Sequence, residues 1–442
     1  MISLTLSELA TKLGATAVDD PGVAISGITI DSREVKAGDL FVAVVGESFD
    51  GNSFLADAMA NGAAAVLTSV HGDSQYPRIV VEDTLAALRD IAAIKREEIG
   101  VPVVAITGSS GKTSTKDLLA AALPGAWATP RSFNNEIGVP LTVLSTPTDA
   151  TYLVAEVGSR GRGHIRYLMP AVRPDVAIIT NLGVVHLETF GTTDDLADAK
   201  FELVEALTET GTAVLPAGDA RLLRSHRGHT LTFGVEPEAD VRVSDITIDD
   251  HGFPEFRISF GDRSAEIRLQ VAGTHQALNA AAAMGAGLAL GLDFASLAAG
   301  LETATGSQWR MEIHRGRFTV VNDAYNANPD SMEAAMRTVA EMPGRHLAVL
   351  GTMGELGHLE VREHHRIGRL ASELGFAAVI TVGDEPGIAA AAGPIARNVA
   401  DADTAYDVVA KIVDDNDIVL VKASRVVGLE TLALRLAEDA VR

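Results

Sequence analysis

The chain contains no cysteine in 442 residues, so a disulfide framework, thiol catalysis and thiolate metal ligation are all closed to it. That absence fits a reducing cytosol. Basic residues are scarce: 36 Lys and Arg stand against 59 Asp and Glu, a formal charge of −23. Such a surface disfavours nucleic acid and anionic lipid, and any phosphate ligand must be held by local positive groups. Long apolar runs are lacking too. The most apolar stretch, Ala277 to Leu292, carries Asn279, is too short to span a bilayer and reads as a packed helix. Met1 to Leu9 has neither the basic start nor the apolar core of a signal peptide, so a cytoplasmic protein with no membrane insertion is expected. No short repeat or low-complexity tract occurs. What remains, 47% hydrophobic and 21% charged residues, is the composition of a folded protein, long enough for two or three domains.

One stretch organises the rest. Val103 to Ile106 is a short apolar run of the kind that forms a buried parallel strand. The turn Thr107-Gly-Ser-Ser-Gly111 follows, then Lys112, Thr113 and a helix-forming run from Lys116 to Leu123. Strand, glycine turn and helix start make an anion site: backbone N–H groups close on phosphate oxygens and the helix dipole adds positive charge. Lys112 supplies a full charge for the terminal phosphates, and the Thr113 hydroxyl is placed to ligate Mg²⁺. The usual phosphate loop has four residues between its glycines; Gly108 and Gly111 enclose only two.

An α/β chain of three domains is expected. Residues 1–97 form a small mixed α/β unit, with strands near Ile25–Ile30, Leu40–Val45, Ala63–Leu67 and Arg78–Val81 and helices over Leu4–Leu13, Phe54–Gly62 and Thr84–Glu98. Gly100 and Pro102 mark the boundary. Residues 98–309 form a parallel-sheet phosphate-loop domain, in which the period-two segments between Leu231 and Val271 add an antiparallel flap. Residues 310–442 alternate strand and helix again, as a Rossmann-like domain without a phosphate loop.

Beyond the loop, Glu156, Asn181 and His186 fall at or just past strand C-termini, where open α/β sheets bind ligands. A carboxylate and an imidazole there suit metal ions; a strand-end cap and a solvated loop histidine are the plainer alternatives. Lys200, read alone, is a surface helix lysine. Arg160, Arg162, His164, Arg166 and Arg173 could receive an anion or form a solvated face. His364 and His365 diverge on a helix and read as surface residues. In Asp323-Ala-Tyr-Asn-Ala-Asn-Pro-Asp-Ser331, capping chemistry competes with ligand contact by Asp323, Tyr325 and Asn326.

Together these segments resemble the Mur ligases, the ATP-dependent amide-forming enzymes of bacterial cell-wall synthesis, over essentially the whole chain. Asp31-Ser-Arg33 through Gly38-Asp-Leu-Phe41 is similar to the motif that receives the UDP portion of the substrate, and Thr107 to Thr113 to the family's compact phosphate loop. Phe133-Asn-Asn-Glu-Ile-Gly-Val-Pro-Leu-Thr142, Asp323 to Ser331 and Val349-Leu-Gly-Thr-Met-Gly-Glu-Leu-Gly357 resemble the member that adds D-alanyl-D-alanine. The resemblance implies a UDP-binding first domain, an ATP-binding second and a ligase third. It implies that Thr113 and Glu156 hold one Mg²⁺, and that His186 and a carbamylated Lys200 hold a second. It places Thr107, Gly108, Ser109, Ser110, Gly111, Lys112, Thr113, Asn279, Arg310 and Asp323 at ATP, and Ser32, Arg33, Asn134 and Asn135 along the UDP-linked muramoyl peptide. Tyr325, Asn326 and Asn328, with Lys422 to Arg425, fall near the incoming dipeptide. A monomer acting on small molecules is implied.

Several positions depart from the family pattern: Asn52 for His, Gln276 for Asn, Trp309 for a small residue, and Ala423-Ser424 for Gly-Ser. These leave open a sister ligase with another amine, which the Tyr325-Asn-Ala-Asn328 motif disfavours, and a nucleotide-dependent switch or binding module, which Glu156, His186 and Lys200 in one chain disfavour.

Overall fold

The computed structural model describes residues 4–46, 49–72, 75–130, 132–183, 190–385 and 387–441. The chain divides into two compact units: Met1–Ala105 with Gly125–Val157 and Ile165–Pro174, and Ile106–Pro124 with Gly158–His164 and Asp175–Arg442.

In the first unit a five-stranded sheet runs in the order Ala17–Asp19, Arg78–Val80, Ala65–Thr68, Asp39–Val42, Gly27–Thr29. All its pairings are parallel except that of Ala17–Asp19 with Arg78–Val80. Alternation along the strands decides what covers each face. Leu40, Val42, Ala65 and Leu67 join the core under helices Leu6–Leu13 and Thr84–Glu98, while Phe41, Ala43 and Val66 pack with Ala58 and Ala63 on the other side. Helix Thr84–Glu98 has its expected bounds because Asp83 caps it, accepting from the Leu85 and Ala86 amides. The first helix starts later than the apolar pattern implies. Thr5 and Glu8 form a capping box, so Leu4–Thr5 is left as a short strand. Helix Gly138–Leu144 was not legible in sequence, since it opens on glycine and contains Pro140 in its first turn.

In the second unit, strands Val176–Ile179, Thr212–Pro216, His229–Gly234 and Val241–Ile248 pair in parallel sequence. The expected flap follows as the antiparallel set Val241–Ile248, Pro254–Phe260 and Arg263–Arg268. Its register shifts between Ser244 and Thr247, where Asp245 adopts a positive φ of 56°, a bulge that bends the first flap strand. The helix Gln276–Ala289 is buried on nearly every side, as its Ala and Gly content requires.

A six-stranded sheet completes this unit, ordered Glu312–Arg315, Thr319–Asn322, Ile418–Lys422, His346–Leu350, Ala378–Val382, Ala396–Val399. Only the first pairing is antiparallel. Val321, Ala348, Leu350 and Leu420 face one core and Val320, Leu347, Val349 and Val421 the other, so helices cover both sides. Among the described residues no helix is long and apolar enough to cross a membrane.

Two sequence readings are corrected. His364 is fully buried rather than superficial, and Lys200 is 1% exposed. Both lie on the inner face of their helices, a placement that single-residue propensity does not reveal.

His275 precedes the helix Gln276–Ala289, and its Nδ1 is a buried nitrogen without a hydrogen-bond partner among the described residues. Burial holds this imidazole down to about 4, against an attraction from Asp323 and with a push from Lys422. The folded form therefore stays neutral while the unfolded chain protonates near pH ~6.5. The stability this contributes is present above pH ~6.5 and lost as pH falls toward 4, by ~2–3 kcal/mol. Chemical denaturation across that range is expected to show the loss, and His275→Leu to remove that part of the pH dependence.

Candidate active site

The strand Val103–Thr107 ends in the glycine turn, and Gly111 serves as N-cap of helix Lys112–Ala122. Thr107, Ser109 and Thr113 are buried there. The turn is braced from the next strand end. Asn181 Oδ1 accepts from the amides of Ser109 (3.2 Å) and Ser110 (2.9 Å), and its Nδ2 donates to Ser110 Oγ (2.6 Å). Thr180 Oγ1 donates to the Ser110 carbonyl at 2.5 Å. Lys112 Nζ donates to the Gly108 carbonyl at 2.7 Å, which holds its charge over the turn.

Behind the turn lies Asn279, whose Oδ1 accepts from Thr115 Oγ1 (3.4 Å) and whose Nδ2 donates to Gln276 Oε1 (2.8 Å). The departure at Gln276 thus has a structural outcome: its longer amide reaches back to orient Asn279. Gly111 sits at φ 77°, and a Cβ there would lie 2.4 Å from Asn279 Oδ1. Gly111→Ala is accordingly expected to raise the KM for ATP by about 10-fold or more, since both the left-handed backbone and the contact oppose it. Steady-state kinetics with ATP varied would measure this.

Lys200, on helix Thr193–Glu205, is held far below the ordinary lysine range by burial first and then by the Lys112 charge. A buried amine facing another cation is inclined to be neutral, and a neutral amine is nucleophilic. His186 lies outside the described residues.

Two members of the basic cluster are paired: Arg162 with Asp195 and Asp198 in the second unit, Arg173 with Glu97 in the first. This favours the solvated-face reading for those two arginines.

At the C-terminal edge of the six-stranded sheet, Asp323 and Lys422 form a buried ion pair at 2.5 Å. Lys422 Nζ also donates to the Asn326 carbonyl (2.9 Å), so this ammonium is spent inside the fold. Asn328 is the N-cap of helix Pro329–Glu341, its Oδ1 accepting from the Ser331 amide at 2.9 Å. Tyr325 lies beneath Arg310 (4.1 Å) and near Arg425 (5.9 Å), and Arg425 also covers Trp309 (4.6 Å). The large residue at 309 is therefore used as a cation–π platform. Trp309 and Met311, on either side of Arg310, both have positive φ, 61° and 51°.

In the first unit, Glu156 ends strand Tyr152–Glu156, is 1% exposed, and accepts from Asn134 Nδ2 at 2.6 Å. Asn135 Oδ1 accepts from the Gly138 amide (2.8 Å) and so starts the following helix. Arg33 pairs with Asp31, whose carboxyl it holds down to about 2, and Ser32 is buried, its carbonyl accepting from Asn61 Nδ2. Asn52, in place of the family's His, accepts from Thr68 Oγ1 at 2.5 Å.

A strand, glycine turn and helix start in a largely parallel sheet, followed by a second open α/β sheet, define a nucleotide-binding α/β protein. The chain matches the Mur ligase family catalytic domain over residues 24–105, the middle domain over 106–287 and the glutamate ligase domain over 309–425, and it belongs to the Mur ligase family. It is 33% identical to the UDP-N-acetylmuramoyl-tripeptide–D-alanyl-D-alanine ligase of Escherichia coli over 99% of both chains. Identity to the protein of the same name in Mycobacterium tuberculosis is 35%, over 99% of this chain and 98% of that one. Among solved structures, MurF from Acinetobacter baumannii superposes with a TM-score of 0.92 at 31% identity, covering 99% of each chain. The MurF ligase of Thermotoga maritima in complex with ADP gives 0.84 at 29% identity, covering 94% of this chain and 97% of that one.

Proposed function

We infer that this enzyme joins D-alanyl-D-alanine to UDP-N-acetylmuramoyl-tripeptide in peptidoglycan precursor synthesis, consuming ATP and releasing ADP and phosphate. One observation carries the reading above others: likeness to the dipeptide-adding ligases extends over 99% of the chain. The terminal carboxylate of the tripeptide takes the γ-phosphoryl group of ATP, giving an acyl phosphate as the bond to ADP breaks. The dipeptide amine then attacks the acyl carbon, a C–N bond forms, a proton leaves the nitrogen, and phosphate departs through a tetrahedral intermediate.

Residue by residue, Thr107 to Thr113 cradle the phosphates, and Lys112 balances the charge of the transferring group. Asn279, Arg310 and Asp323 attend the nucleotide. Ser32, Arg33, Asn134 and Asn135 attend the UDP-linked peptide, and Tyr325, Asn326 and Asn328 the dipeptide. We assign residues 1–97 to UDP-substrate binding, 98–309 to ATP and 310–442 to the ligase domain, in a cytoplasmic monomer.

Hydroxyl, carboxylate and carbamate oxygens are the donor types that suit Mg²⁺, a hard cation that prefers oxygen. Thr113 offers a hydroxyl and Glu156 a buried carboxylate. Lys200 becomes an oxygen ligand if its amine adds CO2, forming N–C and losing a proton, and His186 is the remaining proposed ligand. Bound Mg²⁺ supplies positive charge to the phosphates and lowers the cost of phosphoryl transfer.

The test is phosphate release with ATP, Mg²⁺, the UDP-linked tripeptide and D-alanyl-D-alanine, each omitted in turn. Release that requires all of them supports the reading. Turnover of ATP alone would instead indicate a nucleotide switch, and dependence on a different amine would indicate a sister ligase.

A further inference from the structure

His364 lies on helix Glu360–Glu373, outside the nucleotide site, with 0% of its surface exposed. Its Nδ1 is 2.7 Å from the Glu360 carbonyl, and its Nε2 is 2.9 Å from the Met353 amide nitrogen. A carbonyl can only accept and an amide N–H can only donate, so these two contacts require one form of the ring: neutral, with the proton on Nδ1.

Met353 belongs to the turn that leaves strand His346–Leu350 at its C-terminal end, where open α/β sheets bind ligands. The same turn is tied to a neighbouring strand end by Gly351 N–H to the Lys422 carbonyl and Ser424 N–H to the Thr352 carbonyl, both 3.0 Å. Lys422 in turn holds Asp323 and the Asn326 carbonyl. Three strand-end loops are thereby linked along one edge. The turn carries left-handed backbone at Glu355 (φ 63°), a conformation that costs a non-glycine residue energy and that its surroundings must hold.

We propose that neutral His364 is a positioning residue for the ligation: through the Met353 amide it sets the Gly351–Gly357 turn, and with it the edge that receives the amine dipeptide. This rests on the ligase reading given above.

The charges facing the ring are Glu360 and Glu363 on its own helix and Glu385 beyond strand Ala378–Val382. Glu363 is paired with Arg362 and Arg366. Burial outweighs these carboxylates and holds the imidazole below its ordinary range. The ring therefore stays neutral around pH 7. On acidification below the normal histidine range, Nε2 becomes a donor facing a donor, and the Met353 amide loses its acceptor.

His364→Phe keeps a ring but offers no acceptor, whereas His364→Gln offers an amide oxygen. The Phe variant is expected to raise the dipeptide KM by about 10-fold, well beyond any change in the ATP KM, and the Gln variant to recover most of that loss. In the wild type the dipeptide KM should rise as pH falls, a trend that His364→Gln flattens. Nitrogen-15 NMR of the wild-type ring should show the neutral Nδ1–H form, and the Met353 amide should be protected from hydrogen exchange. An Nε2–H ring, an unprotected Met353 amide, or ATP and dipeptide KM values rising together would overturn the proposal. Failure of the wild type to join the dipeptide, with the NMR result as expected, would overturn both the ligase reading and the role in ligation, leaving only the turn contact.

Discussion

Lys200→Ala is expected to lower the rate of dipeptide joining by ~10³-fold while the protein remains folded. The side chain is buried and its amine is pushed far below the usual lysine range, by loss of solvent and then by the Lys112 charge. An ammonium in that position would oppose metal binding beside the phosphate loop. A neutral amine can instead add CO2, which converts a cation into an anionic oxygen donor. Lys200→Arg should be as inactive as the alanine variant, because a guanidinium stays charged and forms no carbamate. Two readouts separate this from simple destabilisation. Removing CO2 and bicarbonate should reduce wild-type activity reversibly, and a carbon-13 carbamate signal from labelled CO2 should vanish in Lys200→Ala. Full activity in Lys200→Ala would exclude the role.

Lys112→Ala is expected to cost ~10²–10³-fold in kcat, with a weaker loss in ATP affinity. The loop supplies its backbone donors without the lysine, since Asn181 and Thr180 brace it independently. Ground-state phosphate binding should therefore survive better than the transfer step. Lys112→Ala also removes the positive neighbour of Lys200, which makes that amine more basic and less able to take up CO2. The double variant should thus lose less than the product of the single losses, measurable as a coupling in a double-mutant cycle. Strict additivity would mean that the two lysines act independently.

Sequence patterning located the phosphate loop, both α/β sheets and the flap because each is encoded locally. A glycine turn between an apolar run and a helix start can mean little else, and period-two alternation in Val241 to Leu269 specifies strands. Residues whose roles depend on what the far end of the side chain meets were not legible. Lys200 and His364 sit on helices whose polar faces resemble solvent-exposed ones, yet each points inward. Asn181 marked a strand end, but nothing in its neighbourhood disclosed that one carboxamide would satisfy two loop amides. Thr180 carried no signal at all. Lys422 and Asp323 are 99 residues apart, and their pairing follows only from the parallel register of strands Thr319–Asn322 and Ile418–Lys422. Three of the departures from family expectation proved interpretable once their surroundings were visible: Gln276 reaches Asn279, Asn52 meets Thr68, and Trp309 underlies Arg425.

The most direct test of ligation through an acyl phosphate is an oxygen-18 transfer measurement. UDP-N-acetylmuramoyl-tripeptide labelled in its terminal carboxylate would be incubated with ATP, Mg²⁺ and D-alanyl-D-alanine, and both products weighed by mass spectrometry. The expected result is one labelled oxygen in the released phosphate and a UDP-linked product that has gained the dipeptide. Unlabelled phosphate, or labelled phosphate with no dipeptide joined, would contradict it.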